Sequence, residues 1–240
     1  MIEAFWWGAL GASALLVGAL VSYVLTPGRR VIADVMAIGT GVLIGSVSFE
    51  LIDEALKTRT VGEVGLLVLV GAAVFACGDW LLDRHGAAER KDPSGKQAAG
   101  SSLAIVLGSV LDGIPESFVL GLTVLQGAVS AALFAGILLS NFPEGMSSSS
   151  GLRLAGWSLH TVVLMWLAVI AASALSALTG YAFLDPQSGR TGALAQAFAA
   201  GGLLAMVADT LLPEAYDVEG PWTGLLVVVG FAASLALDAL

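Results

Sequence analysis

Long stretches of this chain carry no charge at all. Residues 4–28, 117–143, 154–184, 191–208 and 220–237 contain no Asp, Glu, Lys or Arg. A helix needs roughly 20 apolar residues to cross a bilayer, and several of these windows reach that length. Charged residues make up 12% of the 240 positions and hydrophobic ones 57%. A soluble domain carries about twice that share of charge. The expectation is an all-α polytopic membrane protein.

Helix breakers and charge clusters divide the chain into about eight transmembrane helices, near 3–25, 34–55, 61–83, 101–125, 127–149, 154–180, 191–214 and 219–239. Thr26-Pro27-Gly28-Arg29-Arg30 closes the first, since Pro and Gly stop helices and two Arg do not stay in lipid. Lys57-Thr58-Arg59-Thr60, a tight turn at Gln126-Gly127, and Asp185 to Arg190 mark further breaks. The longest polar stretch, 84–100, reads as a surface loop rich in Gly, Ser and Lys/Arg. The organisation expected is a three-helix block (1–83), a cytoplasmic loop (84–100), a central helix pair (101–150) and a second three-helix block (151–240). The N-terminus lacks a basic region and a small-residue cleavage site, so it reads as a retained first span.

Lys and Arg mark the cytoplasmic side. With eight spans, seven of the ten fall on the side of loops 1, 3, 5 and 7, and Lys57, Arg59 and Arg190 fall opposite. The long loop is therefore expected in the cytoplasm and both termini outside. The net charge of −9 excludes a basic nucleic-acid surface. Cys77 stands alone, which rules out an internal disulfide or a cysteine metal site and leaves an apolar filler.

Two repeats organise the polar residues. Asp112-Gly113-Ile114-Pro115-Glu116-Ser117 and Ser140-Asn141-Phe142-Pro143-Glu144-Gly145 share a frame displaced by 28 residues. They fall on adjacent spans, so the repeat is inverted across the membrane. Residues 41–55 and 201–215 match at an offset of 160, with Gly41/Gly201, Leu43/Leu203, Val47/Val207, Leu51/Leu211, Glu54/Glu214 and Ala55/Ala215 identical. A 3+2+3 arrangement with inverted repeats is a transporter plan, with the site near the midplane.

Proline inside a span frees backbone carbonyls that need partners in lipid. Beside Pro115 lie Asp112 and Glu116; beside Pro143 lie Ser140, Asn141 and Glu144. Positions i and i+4 share a helix face. If the two spans pack face to face, three carboxylates meet in one small volume. Such a group stays ionised only beside a compensating cation, and its oxygens suit a divalent metal. A proton relay is the alternative. Ser140 and Asn141 also fit a plain role in mending broken backbone bonds. Glu50 and Asp209 fit either pathway lining or helix ends in water. Asp53, Glu54, Glu214 and Asp217 read as solvated ends, His160 as a packing residue, and Ser147 to Ser150 as helix packing.

At these duplicated Pro-Glu motifs the chain resembles the ZIP (Zrt/Irt-like) metal transporters. Leu211-Leu212-Pro213-Glu214 resembles that family's seventh span. The resemblance implies eight spans, a variable cytoplasmic loop after the third and, by analogy, a homodimer. It implies a divalent metal cation as transported substrate, zinc first and manganese or iron next, in a cell membrane. It places metal ligation at Asp112, Glu116 and Glu144, with Ser140 and Asn141 as further candidates. The pattern departs from the family: Asp112 stands where His is usual, Ser140 where His or Gln is, Gly113 where Asn or Ser is, and Asn141 where an acid is. Losing the nitrogen ligands shifts preference toward harder cations. No cofactor and no enzymatic role are expected, since neither Gly-x-Ser-Gly nor Gly-x-Gly-Asp occurs. A relative that no longer transports, or one that carries no metal, is the remaining alternative.

Overall fold

The computed structural model describes residues 1–25, 27–87, 102–126, 129–182 and 189–238, and these are almost wholly helical. Eight helices follow one another among them: α1 (Ile2–Val24), α2 (Arg29–Leu56), α3 (Val61–Gly86), α4 (Ser102–Gln126), α5 (Ala131–Leu154), α6 (Leu159–Ala182), α7 (Gly189–Met206, continuing through Leu212–Glu219) and α8 (Trp222–Asp238). Six of them are long and apolar enough to span a membrane. Of the other two, α8 has 17 residues and α5 carries the polar run from Ser140 to Ser150.

The helix ends explain where the expected boundaries shift. Gly28, in an extended conformation, lets α2 start at Arg29, five residues early. Ser130 caps α5, its Oγ accepting from the Leu133 N–H, so α5 starts after the Gln126-Gly127 turn region rather than at 127. At the far end Gly156, with φ +88, stops α5. Thr60 and Glu63 form a reciprocal capping box at the start of α3. Gln126 ends α4, while the turn residues 127–128 and most of loop 84–100 lie outside the described residues. Both α4 and α5 continue through their prolines without a break in the helix. In α2 and α7, π-helical turns occupy Val47–Ile52 and Val207–Leu211, at matching positions of the 160-residue repeat.

Glycine sets how the helices cross. Four helix pairs run side by side with a glycine on each partner: Gly18 of α1 with Gly145 of α5, Gly41 of α2 with Gly230 of α8, Gly71 of α3 with Gly201 of α7, and Gly121 of α4 with Gly180 of α6. In every pair each glycine faces the carbonyl oxygen three residues before its partner, and contacts farther along keep the same order, Gly11 at Ile137 then Gly18 at Phe142, Gly41 at Val227 then Gly45 at Ser234, Gly113 at Ser173 then Gly121 at Ala177, so α1–α5, α2–α8 and α4–α6 are parallel. A methyl group at any of the eight positions would run into that oxygen. Small residues of this kind let membrane helices approach backbone to backbone, where no hydrophobic force separates helix from lipid.

The result interleaves the expected three-helix blocks. Helix α1 packs on α5, α6 and α4, and α2 packs on α5, α7 and α8. Helix α5 is thus enclosed by protein, which is why it tolerates polar residues that lipid would not. The Arg30–Glu219 pair (3.9 Å) and the bond from Arg153 Nη1 to the Tyr23 carbonyl (3.1 Å) gather the ends of α1, α5 and α7 and the start of α2 on one side.

Candidate functional site

All five residues singled out at the Pro-Glu repeats are buried: Asp112, Glu116, Ser140, Asn141 and Glu144 are at most 4% exposed. Asp112 and Glu116 lie one turn apart on α4, and Ser140 and Glu144 one turn apart on α5. The local packing holds α4 from behind: Ser176 of α6 donates to the Ile114 carbonyl (2.9 Å), and a methyl on Gly113 would lie 2.9 Å from Ser173 Oγ.

One direct link joins the two motifs. Ser140 Oγ lies 3.1 Å from Glu116 Oε1 and 3.0 Å from the Ile137 carbonyl oxygen. A hydroxyl has one proton to donate, so the carboxylate and the carbonyl compete for it. Asn141 turns elsewhere: its Nδ2 donates to the Gly11 carbonyl of α1 (3.3 Å). It acts there as a clasp between helices.

The expected meeting of three carboxylates does not occur in this conformation. Among the described residues, no three His, Cys, Asp or Glu side chains stand close enough to hold a metal ion. The reason is packing. Helices α4 and α5 are not among the closely packed pairs. Helix α1 touches both, with Gly11 facing Leu120 of α4 and Ile137 of α5. Glycine crossings tie α4 to α6 and α5 to α1, and side chains alone bridge the remaining gap.

Two further carboxylates reach α5 from other helices. Glu50, in the π-helical turn of α2, accepts from Ser130, the residue that caps α5. Glu214 of α7 accepts from Ser147. Expected at a solvated helix end, Glu214 is instead partly buried against α5. The serine run thus divides its work, since Ser149 accepts from Trp166 Nε1 (2.8 Å) and holds α6. His160 is exposed on the first turn of α6 rather than packed. Behind Pro115 an apolar cavity of about 280 Å³ opens between α3, α4 and α7, lined by Phe75, Leu111, Pro115 and Phe198 among others. It offers no ligand atoms to a cation.

Compared with protein families and with curated proteins, the chain matches no family model and no curated protein.

Proposed function

We propose that this chain carries a divalent metal cation across a membrane, with Asp112, Glu116 and Glu144 as its carboxylate ligands and Ser140 as a neutral one. The observation that carries this reading is the burial of both Pro-Glu motifs within helices, with Glu116 and Ser140 in contact across the gap between them. Buried carboxylates in a membrane helix are retained where an ion or proton passes. Zinc is the first candidate passenger, manganese and iron the next.

An inverted 3+2+3 plan supports the same reading. Exchanging α1 with α6, α2 with α7, α3 with α8 and α4 with α5 turns the α2–α8 glycine crossing into α7–α3, and α1–α5 into α6–α4. It also superposes the two π-helical turns in sequence. Transporters built this way rock one group of helices against another. Here that motion must bring Glu144 and Asp112 onto Glu116 to complete a metal site. All eight helices then cross the cell membrane, α5 shielded by α1 and α2, with both termini outside; a homodimer is part of the proposal by family likeness.

A second reading is favoured by one observation. The carboxylates stand apart, and Glu116 accepts a hydrogen bond from a hydroxyl, an arrangement suited to proton-coupled carriage of a non-metal substrate. Uptake into proteoliposomes of zinc, manganese, iron and magnesium, offered singly, separates the two. The metal reading expects saturable flux of at least one ion, abolished by Glu144→Ala. Strongly pH-dependent proton flux with no metal saturation supports the second reading instead.

A further inference from the structure

Two of the three helices around the apolar cavity are locked to each other. Gly71 of α3 and Gly201 of α7 meet backbone to backbone, and neither has room for a methyl group. Gly202, the next residue, has a different setting. It borders the cavity, and a methyl there would rest on the Pro115 ring at 3.6 Å, an ordinary contact. The crossing of α3 and α7 therefore does not require glycine at 202. What glycine does at this position is leave the space behind Pro115 open.

The cavity lies on the back of α4. Leu111, Ile114 and Phe118 line it, and at about 100° per residue they stand roughly 140–160° round the helix from Glu116. On the front, Glu116 meets Ser140 at 3.1 Å. Helix α6 holds one flank of α4 through the Gly121–Gly180 crossing and the Ser176 bond to the Ile114 carbonyl. The flank towards α3 and α7 faces about 280 Å³ of open space. Side chains beside a void have no contacts on that side, so packing resists movement least there. Pro115 weakens the helix at the same level, since it offers no N–H to the Leu111 carbonyl. The mouth of the cavity is ringed by Val74, Ile114 and Phe198, which are 56%, 43% and 37% exposed. All three helices are long and apolar enough to span a membrane. In a bilayer such a mouth opens onto acyl chains, and the apolar walls keep water out. Exchanging acyl chain for helix in this space brings no apolar surface into water, so the movement meets no hydrophobic penalty.

We infer that the cavity is recoil space for α4. The helix moves back into it about Pro115, which draws Glu116 off Ser140 and opens the gap between the two Pro-Glu motifs, and it returns to close that gap. The inference rests on the transport reading of the same site, where the carboxylates must both gather round an ion and let it go. It gives that cycle a moving part and a place to move into.

The test separates the movement from the transport. Gly202→Leu in the full chain places a branched side chain in the cavity and touches none of the proposed ligands. In nanodiscs its melting temperature is expected at or above that of the wild type, as for a filled void. Amide hydrogen exchange over residues 111–118 is expected to slow several-fold. Uptake into proteoliposomes of zinc, manganese, iron and magnesium, offered singly, is expected to fall roughly tenfold or more for whichever ion the wild type carries. Adding Phe198→Ala reopens the cavity from α7 and should restore both exchange and uptake. Gly202→Ala asks for the same changes in smaller measure and carries the test if leucine unfolds the protein. Exchange over 111–118 that stays at the wild-type rate in a folded variant overturns the recoil space. Slowed exchange with full uptake overturns its part in transport. Slowed exchange in the variant, with no ion taken up even by the wild type, leaves the movement of α4 standing and removes the transport reading.

Discussion

Glu116 and Ser140 meet because two motifs 28 residues apart fall at the same depth on antiparallel helices. Glu116 is 2% exposed and accepts a hydrogen bond from the Ser140 hydroxyl. Ser140→Ala takes away that donor without changing the helix, so uptake should fall roughly tenfold. Glu116→Gln removes the charge and should abolish uptake; activity equal to wild type in Glu116→Gln would exclude this residue as a ligand. Trp166 offers a structural counterpart. Its indole N–H is fully buried on Ser149. Trp166→Phe should lower stability by about 1 kcal/mol or more and leave uptake intact, read as the melting temperature in detergent beside a flux assay. The repeats made Asp112, Glu116, Ser140 and Glu144 legible in the sequence, because an acid beside a proline is costly within an apolar span and this chain carries that pair twice in one frame. Glu50 and Glu214 were less legible. Their significance depends on reaching Ser130 and Ser147 from other helices, and no local pattern states that.

At the level of helices, the segments were readable from charge spacing and helix breakers together, while their neighbours were not. The tight contacts are made by glycines whose partners lie far off in sequence, and nothing near Gly71 announces Gly201. The condition that α4 pack face to face on α5 is not met for this reason: glycines on both helices face α6 and α1 instead. The crossings predict a sharp contrast. Gly201→Ala places a methyl against the Val68 carbonyl and should cost about 1–3 kcal/mol, the usual range for overpacking. Gly65→Ala, on α3 but with nothing within 4 Å, should cost nothing measurable. Thermal denaturation of the two variants in one detergent checks this, and equal melting temperatures would mean that α3 and α7 do not approach as closely as described.

The whole molecule carries its own orientation test in its three lysines. Lys57 lies in the turn after α2, whereas Lys91 and Lys96 lie in the loop after α3. If α3 crosses the membrane, Lys57 faces one side and the other two face the opposite side. In the proposed orientation loop 84–100 is cytoplasmic, and the ion pair and hydrogen bond at Arg30 and Arg153 put those two residues on one side of the molecule. A membrane-impermeant amine reagent on intact cells should therefore label Lys57, and should reach Lys91 and Lys96 only after lysis. The chemistry sets the condition. Glu54 bonds to the Lys57 ammonium at 2.6 Å and raises its pKa above the ordinary lysine value. The reactive form is the free amine, so its fraction at a given pH is smaller than for a lysine without such a partner. Labelling of Lys57 should accordingly lag at neutral pH and rise steeply as pH increases, and Glu54→Gln should shift that rise to lower pH. Labelling of Lys91 and Lys96 before lysis, with Lys57 protected, would reverse the orientation. Labelling of all three from one side would mean that α3 does not cross, and an odd number of crossings would then separate the termini.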